Sequence, residues 1–415
     1  MIKHSHLFFT DKPSTIQASG SKRPLRADHS VAAKVPRRAS VPRRQADSDA
    51  DECPSDVPAT QLNVHGDERT EAAAKVNPKP MKDGLSKLIV GSVVAAPDQT
   101  QWQVVETNIS SSGRRGEQNV LKVIPGPSPH AKRFIVGGIV SSSWRLLIDD
   151  GPLKHIRKCT EMEARRVLQT DEWNLSISEL DAFLGVLYLR GATESKGMEI
   201  DFMWSEKYGF PFFKNVMSRD RFREIMRFLR FDEKSKRSER LKTDEFALIS
   251  DVFSSFVSNC QLNYIPGPYI SVDEQLFPSK TRCPFTQFMA SKPDKYGQKF
   301  WVAVDVDTKY VINIFPYLGK NDERPGDDRL GDFVVKKLVD PYLHKGRNVT
   351  CDNFFTSLRL AKFLKSNKTS IVGTVNKVRR EVPICIKKAK EKLHSTKAFR
   401  NGDMNLSTKG NQIRM

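Results

Sequence analysis

Tyr269-Ile270-Ser271-Val272-Asp273-Glu274-Gln275-Leu276 is the stretch on which the fold turns. It follows Pro266-Gly267-Pro268, a cluster that ends helical periodicity, and its apolar Ile270 and Val272 alternate with polar Ser271 and Asp273 as they do in a strand. Reading outward, a second strand runs from Phe300 to Val306 and a third from Tyr310 to Tyr317, joined by a tight Asp307-Thr308-Lys309 turn. Gly331 to Leu343 has helical spacing through Phe333, Lys337 and Leu338. Asn348 to Asp352 reads as a fourth strand. Ser357 then caps a helix that packs through Leu358, Ala361 and Leu364, and Ser370 to Val375 gives a fifth strand.

The order β-β-β-α-β-α-β predicts an α/β fold over residues 263–376, an incomplete ribonuclease-H-like mixed sheet with helices on its faces. In that order the first and fourth strands lie side by side at the sheet centre, so acids at their matching ends project to one point. Asp273 and Asp352 occupy those ends. Oxygen ligands of this kind suit magnesium or manganese, and a pair of such ions clamps the attacking and leaving oxygens of a phosphodiester. Two dications normally need three or more carboxylates. Taken alone, each Asp reads more readily as the cap of a turn or a solvent-facing side chain than as a metal ligand.

Upstream, residues 139–262 read as a helical domain. Ser176 with Glu179 forms a capping box ahead of Leu180, Phe183, Leu184, Leu187 and Tyr188, with Gly191 as the stop. Ser218 caps a second helix carrying Phe222, Ile225, Met226 and Leu229, and a third is predicted from Thr243 through Phe246, Ile249, Phe253 and Phe256. Residues 1–138 are rich in Ser, Pro, Lys and Arg with no sustained period, the composition of a disordered tail. Its charge is segregated: residues 1–46 hold ten Lys/Arg against two Asp, and residues 47–71 hold eight Asp/Glu against one Arg. Lys34 to Arg44, KVPRRASVPRR, has the density of a nuclear import signal, and Arg37-Arg38-Ala39-Ser40 has the form a basophilic kinase reads.

The 415-residue chain carries 68 Lys+Arg against 49 Asp+Glu, a net charge of +19 that favours a polyanion such as DNA as partner. Six cysteines stand apart with no C-x-x-C or Cys/His pairing, so neither a disulfide framework nor a zinc site is expected, and the thiols read as reduced and intracellular. The longest apolar runs, such as LIVGSVVAA, are too short to cross a bilayer, and the N-terminus has no signal-peptide core.

The text around the two aspartates is more specific than their spacing. Ser271-Val272-Asp273-Glu274-Gln275, Cys283-Pro284-Phe285, Ser291-Lys292-Pro293-Asp294-Lys295-Tyr296-Gly297, Cys351-Asp352-Asn353-Phe354-Phe355-Thr356-Ser357 and Gly373-Thr374-Val375 closely resemble the catalytic domain of piggyBac-type transposases and the host proteins derived from them. Met203-Trp204-Ser205 and Met217-Ser218-Arg219-Asp220-Arg221-Phe222 extend the resemblance upstream. It implies a DDE/D domain that cuts and rejoins DNA, with Asp273 and Asp352 as the first two acids and magnesium or manganese as cofactor. The family's third acid, in a V-D-x-x-D-like motif, and its cysteine-rich zinc module have no counterpart here, which reads as C-terminal truncation. Residues 377–415 read as the basic start of an inserted subdomain, with Leu406 to Met415 leaving the family pattern. Loss of the helix that bears the third acid predicts an exposed apolar sheet face.

Within that last segment Lys377, Arg379, Arg380, Lys387, Lys388 and Lys390 are candidate DNA contacts. The functional expectation is a nuclear DNA-binding protein of transposase descent without transposition, whose protein partners are a second copy or a full-length relative. Two alternatives stand beside it. One is an active metal-dependent transposase or nuclease with a recruited third ligand, Glu274 or Asp305, and the other is an interaction fragment that does not bind DNA.

Overall fold

A computed structural model describes residues 88–106, 120–319, 324–388, 396–409 and 412–415. They fall into two compact units: residues 178–227, and residues 88–177 together with 228–415.

The smaller unit is built on the helices Ile177–Ala192, Pro211–Val216 and Arg219–Phe228. The expected starts hold, and the Ser218 hydroxyl accepts from the Arg221 amide at 3.2 Å. Leu180, Phe183, Trp204, Phe213 and Phe222 are buried together, with the Trp204 ring 5.0 Å from Phe222 and 5.2 Å from Phe213. The Trp204 indole N–H is satisfied by the Met217 carbonyl at 2.9 Å.

In the larger unit β1 (Val93–Ala95) and β2 (Gln101–Val105) come first, and β3 (Gly126–Pro127) pairs with β4 (Tyr264–Ile265). Between them lie the 19-residue helix Asp150–Leu168, which no sequence signal singled out, and the helix Ser250–Asn263. The latter starts seven residues after the predicted Thr243. The Asp244 carboxylate accepts from the Phe246 amide at 2.8 Å, so a local side-chain turn takes the place of the first helical turns. The predicted aromatic stripe survives in part, because Phe246 and Phe253 still pack against Phe300.

β5 (Tyr269–Pro278), β6 (Thr286–Phe288), β7 (Tyr296–Asp305), β8 (Val311–Pro316), β9 (Asn348–Cys351) and β10 (Ser370–Gly373) make one six-stranded sheet. Its order is β10-β9-β5-β7-β6, with β8 also paired to β7. β5 is antiparallel to β7 and parallel to β9, so the first and fourth predicted strands are neighbours. One face packs on the helices Leu330–Val339 and Leu358–Ser366 through Val272, Trp301, Val335, Leu338, Leu360 and Leu364. The other packs through Phe300 and Ile314 onto Phe246, Phe253 and Phe285. That cover lies over β7 and β8, and Tyr269 and Phe277 on β5 and Val372 on β10 stay exposed, so the apolar face expected from truncation is seen in part.

A second sheet corrects two expectations. β11 (Thr396–Asn401), β12 (Met404–Lys409) and β13 (Gln412–Arg414) join β1 and β2 in the order β1-β2-β11-β12-β13. Residues 88–106 and 120–138 are thus structured, although they fall inside the predicted 1–138 tail; residues 1–87 and 107–119 lie outside the described residues. Gln101-Trp102-Gln103-Val104 alternates as a strand, and Trp102 and Val104 are buried with Phe399, Leu406 and Ile413. The average composition of 138 residues concealed a five-residue strand with one partner, β1, beside it in sequence and the other, β11, about three hundred positions away. Leu406 and Ile413, read as departing from pattern, belong to the same core.

Candidate functional site

The register of β5 and β9 sets the site. Val272 lies opposite Cys351, and both side chains enter the core. Strand side chains alternate between faces, so the next residue on each chain, Asp273 and Asp352, leaves the core side and reaches solvent. The two aspartates singled out by sequence are thereby neighbours, but only Asp352 stands at a strand end: Asp273 lies in mid-strand, because β5 runs on to Pro278 against β7.

Each carboxylate is oriented by backbone. Asp273 Oδ1 accepts from the Glu274 amide at 2.8 Å. Asp352 opens a turn, its Oδ1 accepting from Phe354 N at 2.9 Å and Phe355 N at 3.4 Å, while its carbonyl accepts from Thr356 N at 3.1 Å and Thr356 Oγ1 at 2.7 Å. Gly373, at the end of β10, lies against Thr356, where an added Cβ would meet Oγ1 at 2.1 Å.

The electrostatics match a site short of positive charge. Partial desolvation, with the negative charges of Glu274 and Asp352, pushes the Asp273 carboxyl up to about 6. Asp352 is also raised, first by desolvation and then by Glu274, while the Phe354 and Phe355 amides and the Arg379 guanidinium pull the other way. Two adjacent carboxylates that resist joint ionisation are suited to a divalent cation, which would relieve both. Asp273 and Asp352 fit as two oxygen ligands of magnesium or manganese. No group of three His, Cys, Asp or Glu able to hold a metal occurs among the described residues.

The two residues considered as a recruited third ligand behave differently. Glu274 is held by Lys292 at 3.2 Å. Asp305 lies at the far end of β7, opposite Ile270, three pleat positions from Asp273 and so roughly 10 Å along the strand. It is 1% exposed and accepts from the amides of Gly267 (2.6 Å), Asp307 (2.9 Å) and Thr308 (3.0 Å). It is a turn anchor, not a member of the site.

Among the predicted basic contacts, Arg379 turns inward: its Nη2 donates to the carbonyls of Asn353 at 2.7 Å and Phe354 at 2.9 Å, clasping the Asp352 turn. Lys387 Nζ donates to the Val378 carbonyl at 3.3 Å. Arg380 is exposed, Lys377 half-buried, and Lys388 closes the short helix Ile384–Lys388; Lys390 lies outside the described residues. Sequence reasoning missed a further support of the same turn, Arg329, whose Nη2 donates to the Phe354 carbonyl at 3.1 Å. No motif marks it; its only signal is its place just before the helix Leu330–Val339.

Strand order and the carboxylate pair together define a DDE-type transposase domain. Comparison with known proteins agrees. The family model described as Transposase IS4 matches residues 141–412. The chain is 26% identical over 239 residues to the human PiggyBac transposable element-derived protein 3, covering 56% of this chain and 39% of that protein. The human Chimeric ERCC6-PGBD3 protein matches at the same identity, with 22% of its length covered. A solved piggyBac transposase, in a synaptic complex with hairpin DNA, superposes with a TM-score of 0.65 at 32% identity, covering 70% of this chain and 63% of that one. The chain belongs to the Transposase IS4 family and is of the piggyBac type. It spans well under half the length of these two curated relatives. Among the described residues no helix is long and apolar enough to cross a membrane.

Proposed function

We propose that this chain is a nuclear DNA-binding protein of piggyBac descent that keeps a divalent-cation site at Asp273 and Asp352 in a ribonuclease-H-like sheet. The observation that carries the reading is the Val272–Cys351 register, which makes the two carboxylates neighbours. Magnesium or manganese bound there would supply charge to draw in a DNA phosphate; an all-carboxylate donor set suits these harder ions better than zinc, whose protein sites are built mainly on Cys and His. A two-carboxylate set holds one dication more readily than the two of in-line phosphoryl transfer, so transposition by these residues alone is not proposed.

Support for DNA comes from charge and likeness. The net charge is +19, and Lys377 to Arg400 holds nine Lys/Arg against two Glu. The solved relative is described in complex with hairpin DNA. Contacts of this kind act on phosphates, so binding is largely independent of sequence and steeply dependent on salt. The basic run Lys34 to Arg44 carries the nuclear assignment, and a second copy or a longer relative is the protein partner.

Fluorescence anisotropy with a duplex of arbitrary sequence tests the reading. Binding in low salt is expected to weaken by about 10³-fold or more between 50 and 200 mM salt if six or more phosphates are engaged. Absence of binding in low salt, or binding indifferent to salt, contradicts it.

A further inference from the structure

The turn that bears Asp352 is gripped by one buried carboxylate from another element. Asp332, in the first turn of the helix Leu330–Val339, is 0% exposed. Its Oδ1 accepts from Ser357 Oγ at 2.9 Å and Arg329 Nη1 at 3.2 Å, and its Oδ2 accepts from Arg359 Nε at 2.9 Å. Ser357 ends the turn and caps the next helix by accepting from the Leu360 amide at 3.0 Å. Arg329 spans back to the Phe354 carbonyl in mid-turn. The backbone is in close contact as well: a Cβ on Gly331 would meet the Phe354 oxygen at 2.8 Å and Phe355 Cα at 3.0 Å, so only glycine lets the helix start this near.

These bonds reach the residues that orient the site. Asp352 Oδ1 is aimed by the amides of Phe354 and Phe355, and those amides stand where Arg329 and Ser357 hold the chain. A buried charge is costly unless fully partnered, and Asp332 is partnered by two guanidiniums and a hydroxyl. Asp273 is fixed within a continuous strand. The turn, by contrast, needs an external brace.

We propose that Asp332, acting through Arg329 and Ser357, is a positioning residue that sets the Asp352 carboxylate for cation binding. This rests on the reading of Asp273 and Asp352 as cation ligands. Outer partners of metal ligands characteristically alter affinity by about 10–100-fold when removed.

The test uses the full chain with two readouts, hydrogen exchange at the Phe354 and Phe355 amides and Mn2+ affinity by titration. Asp332→Asn is expected to speed exchange at both amides and to weaken Mn2+ binding by about tenfold or more, leaving exchange in residues 178–227 unchanged. If Asp332→Asn does not fold, Arg329→Ala leaves Asp332 its Arg359 and Ser357 partners and is expected to give the same two changes in smaller measure. Arg329→Lys, which retains the charge and a donor, is expected to restore most of the lost affinity. Unchanged exchange in these variants overturns the brace, and faster exchange with unchanged Mn2+ affinity overturns the positioning role. Wild-type Mn2+ uptake that Asp352→Asn leaves intact overturns instead the reading of the pair as a cation site.

Discussion

Two aspartates end strands of the same sheet, and their surroundings have opposite consequences. Asp305 closes β7 and is sealed in: three amides point at it, and the Pro266–Gly267 peptide whose N–H donates to it is held from its carbonyl side by Arg347 Nη2 at 2.9 Å. Burial opposes its ionisation, yet the Gly267, Thr308 and Asp307 amides outweigh burial and keep the carboxyl below its usual range. Asp352 follows β9, reaches solvent, and is raised instead. One carboxylate has spent its hydrogen-bonding capacity on the fold. The other is held in place with charge to spare, which is what the proposed cation site requires.

The comparison breaks most readily in stability. Asp305→Ala leaves three backbone donors without their acceptor and is expected to cost about 3 kcal/mol. Asp352→Ala removes one exposed cap while relieving repulsion with Asp273 and Glu274, so a change within about 1 kcal/mol is expected. Urea unfolding of both variants checks the contrast, and equal losses would erase it.

A smaller effect lies in pH. The folded pKa of Asp305 is lowered, so its contribution is present above the unfolded value of about 3.9 and is lost as pH falls through the folded one. Asp273 runs the other way. With its carboxyl raised to about 6, stability is full below pH of about 3.9 and declines as pH rises through 6. Asp273→Asn is therefore expected to match wild type near pH 3.5 and to exceed it near pH 7, by no more than about 1 kcal/mol because Asp273 reaches solvent. Denaturant titrations at the two pH values measure this, and an Asn variant less stable at pH 7 would reverse the sign.

The same distinction explains what the sequence disclosed. Strand order and the placing of Asp273 and Asp352 were legible because alternation, breakers and caps are local, and because the motifs around both residues are specific. Asp305 had no such context, since its anchoring depends on Gly267, thirty-eight positions away. The brace from Asp332 to Ser357 spans twenty-five positions and has no periodicity to betray it. β2 was hidden for a related reason: beyond its short hairpin with β1, its five alternating residues in a polar stretch are completed by β11, far along the chain.

Whether Asp352 and Asp273 act together as a cation site is tested most directly by Mn2+ titration of the full chain, followed by electron paramagnetic resonance of free Mn2+. Uptake that is present in wild type and lost in both Asp273→Asn and Asp352→Asn is the result predicted here. Uptake that is absent from wild type, or is the same in wild type and the double variant, would contradict it.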